Sequence, residues 1–156
     1  MAEKKPHIMI IEAPFYKGIS EELMKGALIV LNAKGASFER FEVPGALEIP
    51  TAIAYGIKMK QYAPARRRFD GFIALGCVIK GDTYHFEVVA NESSRALADL
   101  ASNYTLALGN GILTTYTEEQ AWHRASITGE NKGGAAAQTC LDMIALKGKL
   151  GLYPRE

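Results

Sequence analysis

The stretch GFIALGCVIKGDTYH, residues 71–85, decides the fold. Its first part, Gly71–Val78, is a near-continuous apolar run, the pattern of a central parallel strand covered on both faces. The loop IKGDTY follows, and then Phe86, Val89, Leu97 and Leu100 recur at helical spacing. Upstream, HIMIIE at His7–Glu12 is a compact β-type run, and beyond the breaker APFYKG the residues Ile19, Leu23, Ala27, Val30 and Leu31 fall on one helical face. Ser20 is the expected N-cap of that helix and Gly35 fits just past its end.

A second strand is expected at Ser37–Val43, closed by Pro44-Gly45, and a helix over Ala46–Gln61 that tolerates Pro50 in its first turns. Tyr62–Asp70 is the most irregular connection. Its Arg66-Arg67-Arg68 run is expected to be a solvated loop rather than a phosphate or RNA patch, since no aromatic residues are interleaved with it. Thr105–Leu113 gives a fourth strand, Thr117–Ala125 a helix, and the last helix is expected after the NKGG turn with Ala137, Leu141 and Ile144 on one face. Strands alternating with helices imply right-handed crossovers and a parallel sheet. The expected class is α/β, a three-layer α/β/α sandwich on a four-stranded parallel sheet, flavodoxin-like in plan. Residues 1–156 read as a single domain, the usual size for one hydrophobic core.

Composition narrows the function classes. Apolar residues make up 48% and charged residues 22%, and 18 basic against 17 acidic residues leave +1, with no electrostatic signature of a nucleic-acid or membrane-surface protein. No apolar run approaches a membrane span or a signal-peptide core. Cys77 and Cys140 are far apart and lack metal-ligand spacing, so no metal site is expected; buried free thiols suit a reducing, cytoplasmic setting.

Open parallel sheets bind ligands beyond the carboxyl ends of their strands, which selects APFYKG, VPGALE, VIKGDTYH and NGILT. Gly81 allows backbone to approach a ligand, and Asp82 and Thr83 at a helix start either form an anion site or simply cap the helix. His85, in the first turn, either shuttles a proton beside a bound phosphate or is a hydrogen-bonded structural residue. Phe15 either stacks on a planar heterocycle or packs under its loop. Glu48 either accepts bonds from a polyol or complements the helix dipole. Arg124 and Lys132 either clamp an anionic group or are solvated charges.

Together the segments VPGALEIP at 43–50, ALGCVIKGDTYHFE at 74–87, NGILT at 110–114, EEQAWHRA at 118–125 and NKGGAAA at 131–137 resemble the lumazine synthase family, in order and spacing, over about Ile8 to Leu146. The resemblance implies riboflavin biosynthesis: condensation of 5-amino-6-(D-ribitylamino)uracil with 3,4-dihydroxy-2-butanone 4-phosphate to 6,7-dimethyl-8-ribityllumazine, phosphate and water, with no cofactor. It implies that Phe15 stacks on the pyrimidine, that Ala46, Leu47 and Glu48 line the ribityl chain, and that the backbone of Cys77, Val78 and Ile79 reads the uracil edge. It further implies Gly81, Asp82 and Thr83 around the phosphate with Arg124 as its charged partner, and His85 as the catalytic proton-transfer residue. Asn110 and Lys132 match further substrate contacts contributed by a neighbouring copy. The assembly implied is a homo-oligomer, a pentamer to which a larger shell is open because the ASITGEN stretch carries no insertion. The sequence departs from the family pattern at Pro14, Lys80 and Asn110, and the segment before Ile8 is short for the extra strand some relatives lend to a neighbour. Two other classes fit less well. A receiver-like signalling module needs clustered acids where Glu12 stands alone and an aspartate where Cys77 stands; a non-catalytic flavin or lumazine carrier would bind in the same pocket without turnover.

Overall fold

The computed structural model describes residues 4–155; residues 1–3 and 156, part of the expected single domain, lie outside the described residues. Four parallel strands run in the order β2-β1-β3-β4: β1 (His7–Glu12), β2 (Ser37–Glu42), β3 (Gly71–Ile79) and β4 (Leu108–Thr115). Helices α1 (Lys17–Ala33), α4 (Glu118–Ala125) and α5 (Lys132–Lys149) cover one face, and α2 (Ile49–Tyr62) and α3 (His85–Asn103) the other. This is the three-layer, flavodoxin-like sandwich expected. Alternation in β1 and β3 sorts the two cores: Ile8, Ile10, Ile73 and Leu75 pack toward α1 and α5, while Met9, Ile11, Phe72 and Ala74 pack toward α2 and α3.

Several local expectations are corrected. Helix α1 starts at Lys17, so Ser20 does not cap it; Ser20 lies inside the helix, 5% exposed, and its hydroxyl has no hydrogen-bond partner among the described residues. Gly35 does end the helix, at φ +70°, where a side chain would be strained. The expected helix over Ala46–Gln61 opens with a 3-10 turn at Ala46–Glu48 before α2 begins. Strand β4 begins at Leu108 rather than Thr105, because Thr105 sits in the left-handed region at φ +53° and turns the chain after α3. NGILT therefore lies within β4, not beyond its end.

The NKGG segment is not a turn ahead of the last helix. Asn131 is the N-cap of α5, its Oδ1 accepting from the Gly134 N–H at 3.2 Å, and Gly133 and Gly134 form the first turn. Gly133 is there for close approach: a Cβ would stand 2.0 Å from the Leu23 carbonyl oxygen of α1. Finally, the arginine loop is anchored rather than simply solvated. Arg66 pairs with Glu39, Arg67 donates to the Ser37 hydroxyl at 3.2 Å, and the Arg68 Nε is buried.

Candidate functional site

The strand order reverses between β1, whose other neighbour is β2, and β3, whose other neighbour is β4. At such a switch point the loops leaving two adjacent strands diverge to opposite faces and open a crevice. Here that crevice is a cleft of about 320 Å³, within the range of small-molecule sites. Its floor is the end of β3. Strand β1 pairs with β3 only as far as Glu12 opposite Leu75, whereas β3 continues to Ile79, so the β1-side edge of Gly76–Ile79 has no strand partner. Backbone donors and acceptors of Cys77, Val78 and Ile79 are thus presented to the cleft, where the other edge is held by β4 through Ile79 opposite Thr115.

Around this floor stand three loops. From the first, Phe15 projects with 76% of its surface exposed and meets Tyr16 edge-on at 5.0 Å. Packing under its own loop is therefore not what Phe15 does in this chain; its ring is open to a ligand. From the second, Ala46, Leu47 and Glu48 line the cleft. The Glu48 carboxylate is exposed, with no hydrogen bond or ion pair among the described residues, so it is free to accept from hydroxyls. From the third come Gly81, Thr83 and His85. Helix α3 begins at His85, so Asp82 and Thr83 precede it rather than forming its first turn; the Thr83 hydroxyl accepts from the His85 N–H at 3.4 Å. Nothing fills the space a Gly81 side chain would occupy. Open backbone next to a helix N-terminus suits an anion.

Asp82 is exposed in the same loop but does not line the cleft. Asn110, Arg124 and Lys132 also lie outside it. Asn110 is mid-strand in β4 opposite Ala74, on the sheet face away from α5, with its side chain accepting from the Ile112 N–H at 2.9 Å. Arg124 and Lys132 meet at the junction of α4 and α5, where both pair with Glu130, at 3.4 and 3.7 Å. One carboxylate is thereby bracketed by two cations, an arrangement able to accept another anion.

Sequence reasoning missed Tyr16, Gly45, Phe86 and Val89 as lining residues. Tyr16 and Gly45 stand inside the very segments the strand-end rule selected, so adjacency was the available signal. Phe86 and Val89 read as core positions of α3; Val89 is one, while Phe86 is half-buried beside Tyr116. Burial raises the Tyr16 hydroxyl above the usual tyrosine value, with smaller contributions from Cys77 and Glu118, so Tyr16 offers the cleft a neutral donor. Burial likewise pushes the Cys77 thiol up to about 12, which removes it as a nucleophile. Lys80, between the lining residues Ile79 and Gly81 in sequence, places its ammonium 5.5 Å from the Tyr116 ring.

Comparison with known proteins assigns this arrangement to a family. The sequence model of 6,7-dimethyl-8-ribityllumazine synthase matches residues 5–148. Among curated relatives, the 6,7-dimethyl-8-ribityllumazine synthase of Bartonella tribocorum is 55% identical over 95% of this chain and 94% of its own. The protein named 6,7-dimethyl-8-ribityllumazine synthase 1 of Rhizobium meliloti is 53% identical over 97% of this chain and 98% of its own. That of Agrobacterium fabrum is 50% identical over 94% and 98%.

Proposed function

Since the chain belongs to the 6,7-dimethyl-8-ribityllumazine synthase family, and so is a transferase of riboflavin biosynthesis, we propose that its cleft at the β1–β3 switch point joins the ribitylaminouracil to the four-carbon sugar phosphate. The observation that carries the assignment is the unpaired edge of β3 at Cys77–Ile79, facing the exposed ring of Phe15 and the free carboxylate of Glu48. A pyrimidine has polar edges and a flat face, and it needs both a backbone reader and a stacking partner. A ribityl chain needs acceptors for its hydroxyls, which Glu48 supplies beside Ala46 and Leu47.

The second substrate brings a phosphate and a ketone. In this reading the backbone of the Gly81, Asp82 and Thr83 loop receives the phosphate ahead of α3, and His85, which lines the same cleft, works beside the reacting carbon. Imine formation requires a proton delivered to the departing carbonyl oxygen, which leaves as water. The adjacent carbon then loses a proton as phosphate leaves with the C–O bonding pair. The resulting enol tautomerises to a ketone, and the second amine closes the ring on that ketone with loss of a second water. His85 moves these protons, and the phosphate site stabilises the leaving group's charge. Holding two substrates in contact supplies much of the remaining acceleration.

Asn110, Arg124 and Lys132 act in the cleft of an adjacent copy, in a homopentamer that can pack further into a shell. Support comes from β4, an edge strand whose face away from α5 alternates half-buried Leu108 and Ile112 with exposed Asn110 and Thr114. The chain works as one domain of the family type and in the cytoplasm, in keeping with two buried free thiols. No helix among the described residues is long and apolar enough to cross a membrane.

Incubation with both substrates, followed by lumazine absorbance, tests the activity; product binding without turnover above the uncatalysed rate would make the protein a carrier instead. His85→Ala is expected to lower kcat moderately. Arg124→Ala is expected mainly to raise KM for the phosphorylated substrate, and near-normal use of that substrate would refute the role of Arg124. Sedimentation separates pentamer from shell.

A further inference from the structure

A second cavity, of about 240 Å³, opens under the start of β3 at Phe72. The cavity meets β3 at Phe72 and the substrate cleft begins at Cys77, so at about 3.3 Å per residue the two stand roughly 17 Å apart along the strand. Four cations line it: Lys60 from α2, Arg68 from the loop before β3, Lys147 from the last turn of α5, and Arg155. Among the described lining residues only Asp70 is acidic, and its carboxylate already accepts from the His7 N–H at 2.8 Å.

Helix C-termini attract cations, which accounts for part of this gathering. Lys60 donates to the Pro64 and Arg66 carbonyls at 2.7 and 2.8 Å, and Lys147 to the Thr105 carbonyl at 2.7 Å. An ammonium has three donors, so one remains on Lys60 and two on Lys147. Arg68 has no such explanation. Its Nε is buried without a hydrogen-bond partner among the described residues, a costly state for a charged group. Burial first, and then the nearby Arg155, push the Lys147 ammonium below the ordinary lysine value, with Asp70 opposing and Arg68 adding to the shift. These are the marks of positive charge short of a counter-charge.

We propose that this cavity is a second ligand site, separate from the substrate cleft, that takes a small phosphate monoester. Arg68 and Lys147 hold the phosphate oxygens, Lys60 and Arg155 add charge at the rim, and the rings of Phe72 and Tyr104 line the space left for the organic part. Four cations against the one carboxylate of Asp70 leave three net positive charges, which favour a dianion over a monoanion, and guanidinium with ammonium is a recurrent phosphate-binding pair.

Calorimetric titration of the intact oligomer with inorganic phosphate, and separately with phenyl phosphate, tests the site. Two phosphate sites per chain are expected in the unaltered protein. The double variant Arg68→Gln/Lys147→Met should lose one of them while kcat and KM stay unchanged, and phenyl phosphate should lose at least tenfold in affinity at that site. Arg124→Ala should remove the other, so failure of the cleft assignment shows separately. Unchanged stoichiometry and affinity in the double variant would overturn the proposal. Arg155→Gln, in an exposed segment where folding is not at stake, should weaken phosphate at this site several-fold; no change there also overturns it. Benzoate, a monoanion of similar shape, should bind more weakly than phenyl phosphate, and equal binding would reject the phosphate selectivity.

Discussion

Replacing Gly133 with alanine pits two effects of opposite sign against each other. Alanine is a better helix residue than glycine by about 1 kcal/mol, and Gly133 is in the first turn of α5, so propensity alone forecasts stabilisation. The packing forecasts the reverse. A Cβ at Gly133 would meet the Leu23 carbonyl oxygen at 2.0 Å and its carbon at 2.7 Å. Ordinary van der Waals contact begins near 3.4 Å, and backbone atoms of a helix cannot rotate away as a side-chain tip would. Helices α5 and α1 must therefore separate by more than an ångström, opening a packed core that includes Leu23, Ala136 and Ala137. Overpacking costs about 1–3 kcal/mol where side chains can adjust, and an immovable carbonyl puts this case at the upper end. Net of propensity, Gly133→Ala should lose about 2 kcal/mol, or roughly 4–8 °C in Tm for a chain of this size.

Gly148→Ala is the matched control: same helix, but a nearest neighbour at 3.8 Å, the Tyr153 carbonyl oxygen. It should be stabilised by about 0.5–1 kcal/mol. Thermal melts at one fixed protein concentration read both. A Gly133→Ala protein at or above the stability of the parent would refute the close-approach argument. The displacement should also carry Lys132, the neighbouring residue, away from its Glu130 partner.

Three further outcomes are expected. Ser20→Ala should raise stability by about 1 kcal/mol in urea unfolding, because a buried hydroxyl without a partner gives way to a better helix former; a loss would mean the hydroxyl is satisfied. Burial pushes the Cys77 and Cys140 thiols up to about 12, so roughly one in ten thousand is thiolate at pH 8, and a thiol reagent should label them only after unfolding; prompt labelling of the folded protein would contradict this. Glu39 is held below the usual glutamate value chiefly by its hydrogen bond from His7, and also by Arg66. A carboxylate depressed in the folded state stabilises above its unfolded value of about 4.5 and loses that contribution as pH falls through the folded value. The stability gap between the parent and Glu39→Gln should therefore be full at pH 6 and close below pH 4, and a gap that widens in acid would reverse the assignment.

Why some of this was legible in the chain follows from the physics of each segment. A strand covered on both faces must be apolar at every position, so Gly71–Val78 could hardly be read otherwise. Strand β4 alternates buried and exposed residues, and its buried positions Gly109 and Gly111 carry no side chain because Ala136 of α5 presses against them; no hydrophobic periodicity marked where it began. The two glycines of NKGG read as a breaker for a similar reason, since Gly133 answers to a carbonyl 110 residues earlier in the chain and Gly134 to the capping side chain of Asn131. Loops at strand ends were identified because topology fixes where a cleft opens. For Arg124 and Lys132 the residues alone left an anion clamp and solvated charge open, only the segment resemblance gave them a substrate role, and the single chain keeps them apart from the cleft.

That separation has a genetic meaning. If proton transfer and phosphate capture in one site come from two neighbouring copies, each site is the joint property of two gene products. A His85→Ala chain, slowed in kcat, and an Arg124→Ala chain, raised in KM, would partly complement when co-expressed, because in randomly mixed rings about a quarter of the junctions pair an intact His85 with an intact Arg124. The same arithmetic makes a doubly substituted chain poisonous to its unaltered neighbours on both sides.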